Sequence, residues 1–279
     1  MNILFSHRQE GLFVHHTYDE TPCAEHFSIH AHDMNELYYF IDGKGSFFVE
    51  GNEYQLSPGC VLIMRSGETH QLRIDSSIPY ERIAIHFSSY ILNSFDAASL
   101  LSAFNHRRLG EYNFYSYGEL NQALLTPCFN TFTNNFYKNL DDCSYKLYII
   151  SHLLPILIEL NKGFHLNKDN IPSHSDKLIG EIIKFINQNL SSSNWNLDTL
   201  SDKFFISKSH MNNKFKKATG STIWEYTIIK RLLKSREEIK NGLPVMQVFA
   251  SSGFTDYSSF YRRYKLKFGT APISDRPAK

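Results

Sequence analysis

Residues 197–220, LDTLSDKFFISKSHMNNKFKKATG, and residues 245–269, VMQVFASSGFTDYSSFYRRYKLKFG, decide how this chain is read. Each opens with a short amphipathic run, breaks, and resumes as a second run with an aromatic–Lys pair and a closing glycine. The two are offset by about 49 residues, a weak internal duplication. Ser207, and Thr255 or Asp256, have the side chains that cap a helix N-terminus. Pro244 suits a first helical turn, and Gly253 supplies the positive φ of a tight turn. The pattern predicts two helix-turn-helix units.

In the second helix of each unit, Met211 and Phe215, or Phe260 and Tyr264, form an inward face. The opposite faces are short, polar and basic. They present Ser207, Lys208, Ser209, His210, Asn212, Asn213 and Lys216, then Thr255, Tyr257, Ser258, Ser259, Tyr261, Arg262 and Arg263. Small polar side chains let a helix enter a major groove about 12 Å wide and bond base edges. Lys, Arg and hydroxyl groups hold phosphates. These fourteen positions are the candidate contacts to double-stranded DNA. The bland alternative is a helical bundle with solvated faces; two matched units on a basic segment weigh against it.

The net charge of +1 hides an opposed pair. Residues 176–279 carry 18 Lys+Arg against 9 Asp+Glu, and residues 1–175 carry 11 against 19. A back half at +9 and a front half at −8 imply that only the back half meets a polyanion.

Residues 176–276 resemble the DNA-binding domain of AraC-type regulators. Gly220-Ser-Thr-Ile-Trp-Glu-Tyr226 with Arg231 is similar to the opening of that family's helix between the units. Gly253-Phe254-Thr-Asp-Tyr-Ser-Ser-Phe260, Gly269-Thr-Ala-Pro272 and Arg276 resemble its C-terminal motif. Ser201 and Phe249 stand where a small Ala is usual, and Ala271 where Thr is usual; Phe249 adds bulk between two helices. The resemblance implies two recognition helices about one DNA turn apart, roughly 34 Å. It implies RNA polymerase as a partner if the protein is an activator, and leaves activator and repressor open.

Residues 1–90 read as short strands separated by turns at Asp42-Gly43, Glu50-Gly51-Asn52 and Ser57-Pro58-Gly59, the spacing of a sandwich or small barrel. His30, His32 and Glu36 share one face of an extended strand, and His70 from a later strand can join them. That set is a ligand set for a divalent transition metal. His30-x-His32-x3-Glu36-x6-Gly43 and Gly59-x5-Arg65-x-Gly67-x2-His70 resemble the two motifs of a cupin barrel over residues 28–87. Arg65 replaces the usual Pro, and Ile74 the usual Asn. Three readings stay open: a metal on His30, His32, Glu36 and His70, an effector pocket, or histidines bonded within the barrel wall. The pocket reading adds Tyr38, Phe40, Arg82 and His86, with aromatic planes and polar groups suited to a sugar or another small polar effector. No cofactor is required and catalysis is not expected.

The fold expected is α+β in two domains, a cupin-like β-barrel and an all-α tandem helix-turn-helix domain. Residues 1–117 form the effector-binding barrel, 118–162 a helical segment, 163–175 a linker and 176–279 the DNA-binding domain. The resemblance implies that 118–162 mediates a homodimer; otherwise these helices only cover the barrel. The four cysteines are scattered, against a zinc finger or a disulfide framework. The start of the chain lacks a signal-peptide core, and the apolar stretch Leu147–Leu160 is shorter than the roughly 20 residues of a membrane span. A cytoplasmic protein without a membrane partner is expected. The competing functions are a metal-dependent cupin enzyme with an appended helical domain, and a dimeric DNA-binding protein without an effector.

Overall fold

The computed structural model describes residues 2–23, 27–95, 98–132, 140–167 and 176–277. Among these, the strands are β1 (Asn2–Gln9), β2 (Leu12–Asp19), β3 (Asn35–Asp42), β4 (Gly45–Val49), β5 (Asn52–Gln55), β6 (Val61–Met64), β7 (His70–Ile74), β8 (Tyr80–Phe87) and β9 (Phe114–Tyr115). A six-stranded sheet runs β1-β2-β8-β3-β6-β9 and a three-stranded sheet runs β5-β4-β7. Side chains alternate across a strand, so β3 feeds two cores. Tyr38 and Phe40 join Phe47, Leu62 and Leu72 between the sheets. Leu37 and Tyr39 face the other way, toward helices. Phe40 is fully buried there and does not line the cavity described below.

Those helices are α1 (Ser102–Asn105), α2 (Gln122–Phe132) and α3 (Asp142–Asn167). Phe129 of α2 stacks on Tyr39 at 4.2 Å. Tyr145, Ile149, Leu153, Ile156, Leu160 and Phe164 bring one face of α3 into the same core. Helix α3 continues through Gly163 to Asn167, where the sequence reads as linker. Gly163 is buried, and a side chain there would press on Tyr115 and Leu120. Close packing, rather than chain flexibility, accounts for that glycine. The rest of the expected linker, 168–175, lies outside the described residues. The apolar stretch at 147–160 therefore belongs to a longer helix. Asp142–Leu166 is long and apolar enough to cross a membrane by length and composition, but its inner face is committed to the barrel.

The C-terminal part comprises α4 (Lys177–Gln188), α5 (Leu197–Phe204), α6 (Lys208–Thr219), α7 (Ile223–Lys240), α8 (Val245–Ser251) and α9 (Tyr257–Phe268). Helices α5–α6 and α8–α9 are the two helix-turn-helix units, and α7 links them. Ser207 caps α6 and Asp256, not Thr255, caps α9. Met211 and Phe215 pack into one core with Ile182, Ile186 and Leu200. Phe260 and Tyr264 pack into another with Ile228, Leu232 and Val248. Trp224 is 44% exposed in the first turn of α7. Both departures from small residues are accommodated. Ser201 Oγ donates to Ile206 O at 2.7 Å across the turn. Phe249 sits half-buried, edge-on to Tyr257 at 5.3 Å, and props that side chain on the reading helix. Phe205 takes φ +55° at the turn of the first unit with its ring 94% exposed.

The two parts dock through the β4–β5 hairpin. Its two-residue turn, Glu50-Gly51, has φ +48° and +84°, the left-handed pair of a tight hairpin that favours Asn or Gly. Glu50 is instead a carboxylate, fully buried against α7. It accepts from Lys230 Nζ at 2.9 Å, from the Tyr226 hydroxyl and from the Thr69 amide at 2.6 Å. Lys230 Nζ also donates to Gly67 O at 2.7 Å. Arg73 donates to Lys217 O at the end of α6 at 3.0 Å. Asp33 pairs with Lys240 at 2.5 Å and Arg236 at 3.6 Å.

Candidate effector cavity and DNA-reading face

Between the sheets lies a cavity of about 290 Å3 lined by His15, Phe27, His30, Glu36, Tyr38, Phe47, His70, Leu72, Arg82 and His86. Of the residues expected from sequence, His30, Glu36, Tyr38, His70, Arg82 and His86 line it. His32 backs the wall instead. The shared-face reading of His30, His32 and Glu36 does not hold. Strand β3 begins only at Asn35, and His30 forms an isolated bridge with His70. The chain bends between them, so the three converge through a loop rather than along one strand.

The polar cluster is built on Glu36. His32, His70 and His30 each donate Nδ1–H to a backbone carbonyl, of Met34 at 2.8 Å, Glu68 at 2.9 Å and Ser28 at 3.0 Å. Each Nδ1 therefore carries a proton. His32 Nε2 then reaches Glu36 Oε2 at 2.9 Å, and His70 Nε2 lies 3.2 Å from the same oxygen. Burial opposes charge on His32, but the bond to Glu36, its charge and the Met34 carbonyl together outweigh burial and raise the pKa. Burial alone would raise the Glu36 carboxyl; the surrounding imidazoles hold it well below the ordinary range. Burial lowers His15, His30 and His86 to about 3, which keeps them neutral.

The groups that come within metal-ligand reach of one another are His32, Glu36 and His86, whose donor atoms lie within 4.8 Å. That set replaces His30 and His70 of the expected one by His86. Nδ1 bonded to a carbonyl, as in His32, is the arrangement that orients metal-binding imidazoles. His86 Nε2, however, lies 3.3 Å from His15 Nε2, which also accepts from Arg82 at 3.4 Å. His86 therefore donates there and must give up that proton to bind a metal through Nε2.

On the other domain, Lys208, Ser209, His210, Asn213 and Lys216 are exposed on α6. Thr255, Tyr257, Ser258, Arg262 and Arg263 are exposed on or beside α9, with Ser259 and Tyr261 half-buried. Asn212 departs from expectation: its Oδ1 accepts the Ile223 amide at 3.0 Å and helps cap α7. Its Oδ1 is used as a brace, so Asn212→Ala is expected to loosen the α6–α7 corner, read as a lower Tm of the DNA-binding domain. Lys208 is tethered by Asp198, whereas Lys216 and Arg263 carry no ion pair among the described residues. Lys216→Gln or Arg263→Gln is expected to weaken binding to every DNA sequence. Each should reduce the slope of log affinity against log salt by about one, read by fluorescence anisotropy over a salt series.

Two domain families match this chain. Residues 17–125 match the AraC-like ligand binding domain, and residues 200–277 match the helix-turn-helix domain. The Msm operon regulatory protein of Streptococcus mutans is 23% identical over 251 residues, 88% of this chain and 84% of that one. The HTH-type transcriptional activator RhaS of Escherichia fergusonii is 21% identical over 261 residues, 91% and 88% of the two chains. The crystal structure of ToxT from Vibrio cholerae is similar at 13% identity and a TM-score of 0.36, over 95% of this chain and 97% of that one. A ligand-binding barrel followed by tandem helix-turn-helix units defines a sequence-specific DNA-binding transcription regulator under effector control. The chain belongs to the AraC-type regulators.

Proposed function

We propose that a small polar effector, of sugar size, occupies the barrel cavity and acts on DNA binding through Glu50. The observation that carries this is covalent continuity. His70 lines the cavity, its neighbour Thr69 donates to Glu50, and Glu50 holds Lys230 and Tyr226 of the linking helix. A ligand that moves the start of β7 thereby moves an acceptor of the DNA-binding domain. Coupling requires only that the effector prefer one arrangement. The docked arrangement is the restrained one, because it holds a barrel half of charge −8 against the end of α6 and so opposes approach of DNA. A thermal-shift screen of small polar metabolites tests the reading, since a ligand of the folded state raises Tm by mass action. Hits are then added to a DNA-binding assay. Hits that raise Tm yet leave DNA affinity unchanged would contradict gating.

Leu147, Ile158 and Leu166 are exposed on α3 at 55%, 53% and 72%, opposite the face that packs on the barrel. This supports a homodimer formed through α3, so the helices both cover the barrel and pair. Ile158→Glu is expected to convert the dimer to monomer in sedimentation and to remove the dependence of Tm on protein concentration. RhaS is named a transcriptional activator; an activator role here brings contact with RNA polymerase, in the cytoplasm and without catalysis by the barrel. A second reading gives the cluster a divalent transition metal, favoured by the spacing of His32, Glu36 and His86. Stoichiometric metal in the purified protein, with DNA binding that changes on chelation, selects that reading over a metal-free cavity.

A further inference from the structure

Among the described residues, several buried or half-buried cations have close polar partners, whereas half-buried Arg82 in the cavity wall has only a distant one. Arg107 pairs with Glu68 at 2.6 Å, Lys230 with Glu50 at 2.9 Å, and Arg236 with Asp275 at 2.9 Å. Arg231 has two carbonyl acceptors, Leu190 O at 2.9 Å and Ser192 O at 2.7 Å. Arg82 lines the cavity and has neither a carboxylate partner nor a carbonyl acceptor. Its only hydrogen bond is the 3.4 Å contact from Nη1 to His15 Nε2. Its Nε is buried with no acceptor at all. The Tyr38 ring lies 5.6 Å from the guanidinium carbon, and the Glu36 charge across the cavity favours the cation without pairing with it directly.

A guanidinium whose Nε is buried without an acceptor is under-satisfied, and a planar five-donor group is shaped for a carboxylate or phosphate. The strand register places it away from Glu36. Arg82 stands opposite Phe40 on β3 and His86 opposite Glu36, so the cation and the carboxylate are four residues apart along the strand, about 13 Å between backbones. Phe27, Phe47 and Leu72 supply apolar surface in the cavity wall.

Resting on the reading of the cavity as the effector site, we propose that its effector is an organic anion of about hexose size. Its carboxylate or phosphate group is taken by Arg82, and its hydroxyl groups by Glu36 and the histidines around it. The protein thus discriminates a sugar acid or sugar phosphate from the neutral sugar.

Full-length protein and its Arg82→Met and Arg82→Lys variants are to be heated with 10 mM-scale glucose, glucuronate or glucose 6-phosphate, and affinities measured by calorimetry. The acids are expected to raise the wild-type Tm by about 5–10 °C, as a ligand near a hundred times its Kd does, and glucose by much less. The comparison of glucuronate with glucose 6-phosphate tells carboxylate from phosphate. Arg82→Met should abolish the preference for acid over neutral sugar, Arg82→Lys should keep part of it, and the ligand-free Arg82→Met protein should melt no lower than wild type. No excess for either acid over glucose, or an excess that survives in Arg82→Met, overturns the proposal. Equal shifts with all three sugars overturn the anion alone and leave the cavity as the effector site. No shift with any of them, together with DNA binding indifferent to Glu36→Gln, removes the cavity reading as well.

Discussion

Replacing Arg107 by methionine is expected to cost the barrel about 3–5 kcal/mol, the range for breaking a buried ion pair from one side, and to lower Tm accordingly. Both side chains of the Arg107–Glu68 pair are 0% exposed. Arg107 donates to Glu68 through Nη1 at 2.7 Å and Nη2 at 2.6 Å. Glu68 also accepts from the Arg65 amide, the Gly110 amide and Asn113 Nδ2. The carboxylate thus ties the loop before β7 to the loop before β9, and it has no route to water while the barrel is folded. Burial alone would raise the Glu68 carboxyl, but Arg107 outweighs it and brings the pKa to about 2 from 4.5. Because the folded value is depressed, the stabilisation is fully present above the unfolded pKa of 4.5 and is lost as pH falls from there toward 2. Wild-type Tm should therefore drop steeply over that interval, and Arg107→Met should flatten the drop. Thermal melts over a pH series read both effects.

Lys230→Met is expected to undock the domains and to tighten DNA binding by roughly tenfold, a scale of effect that neighbouring charge can produce. It leaves the Glu50 carboxylate buried without its cation, a situation comparable in kind to the Arg107 variant. The outcome differs because Glu50 has an exit. Separation of the two domains returns it to water, so the loss of stability is capped by the free energy of docking. Small-angle scattering should show a larger radius of gyration, and anisotropy titrations should show the tighter DNA affinity. Gly67 and Thr69 flank Glu68 in sequence and face Lys230 and Glu50, so Arg107→Met should also loosen docking. The two variants together separate barrel stability from domain release.

The helix-turn-helix units were legible from sequence because their signals are local. Caps at Ser207 and Asp256, the left-handed glycines and the 3.6-residue periodicity of Met211–Phe215 and Phe260–Tyr264 all act within one or two turns. The second task of Asn212 was not legible: its Oδ1 accepts the first amide of the next helix, which periodicity does not reveal. The cavity was half legible. His30, Glu36 and His70 announce themselves chemically, but His15 enters through the pairing of β2 with β8, a register set by the whole sheet. Phe27, Phe47 and Leu72 look like any core residue. Glu50 reads only as part of a turn, and nothing near it in the chain indicates a partner 180 residues away. Its left-handed backbone is the physical trace of that role, since a strained non-glycine residue persists where its surroundings hold it.

The central claim is that occupancy of the cavity reaches DNA through Glu50. It is tested most directly by measuring the affinity of full-length protein for a DNA fragment selected from the source genome. Titrations are run with and without the cavity ligand that gives the largest thermal shift, in wild type and in Glu50→Gln. The account predicts that the ligand changes wild-type affinity by a factor within the usual range of coupling, roughly 5–150-fold, and leaves Glu50→Gln affinity unchanged although the ligand still binds. A ligand response of equal size in Glu50→Gln would contradict it.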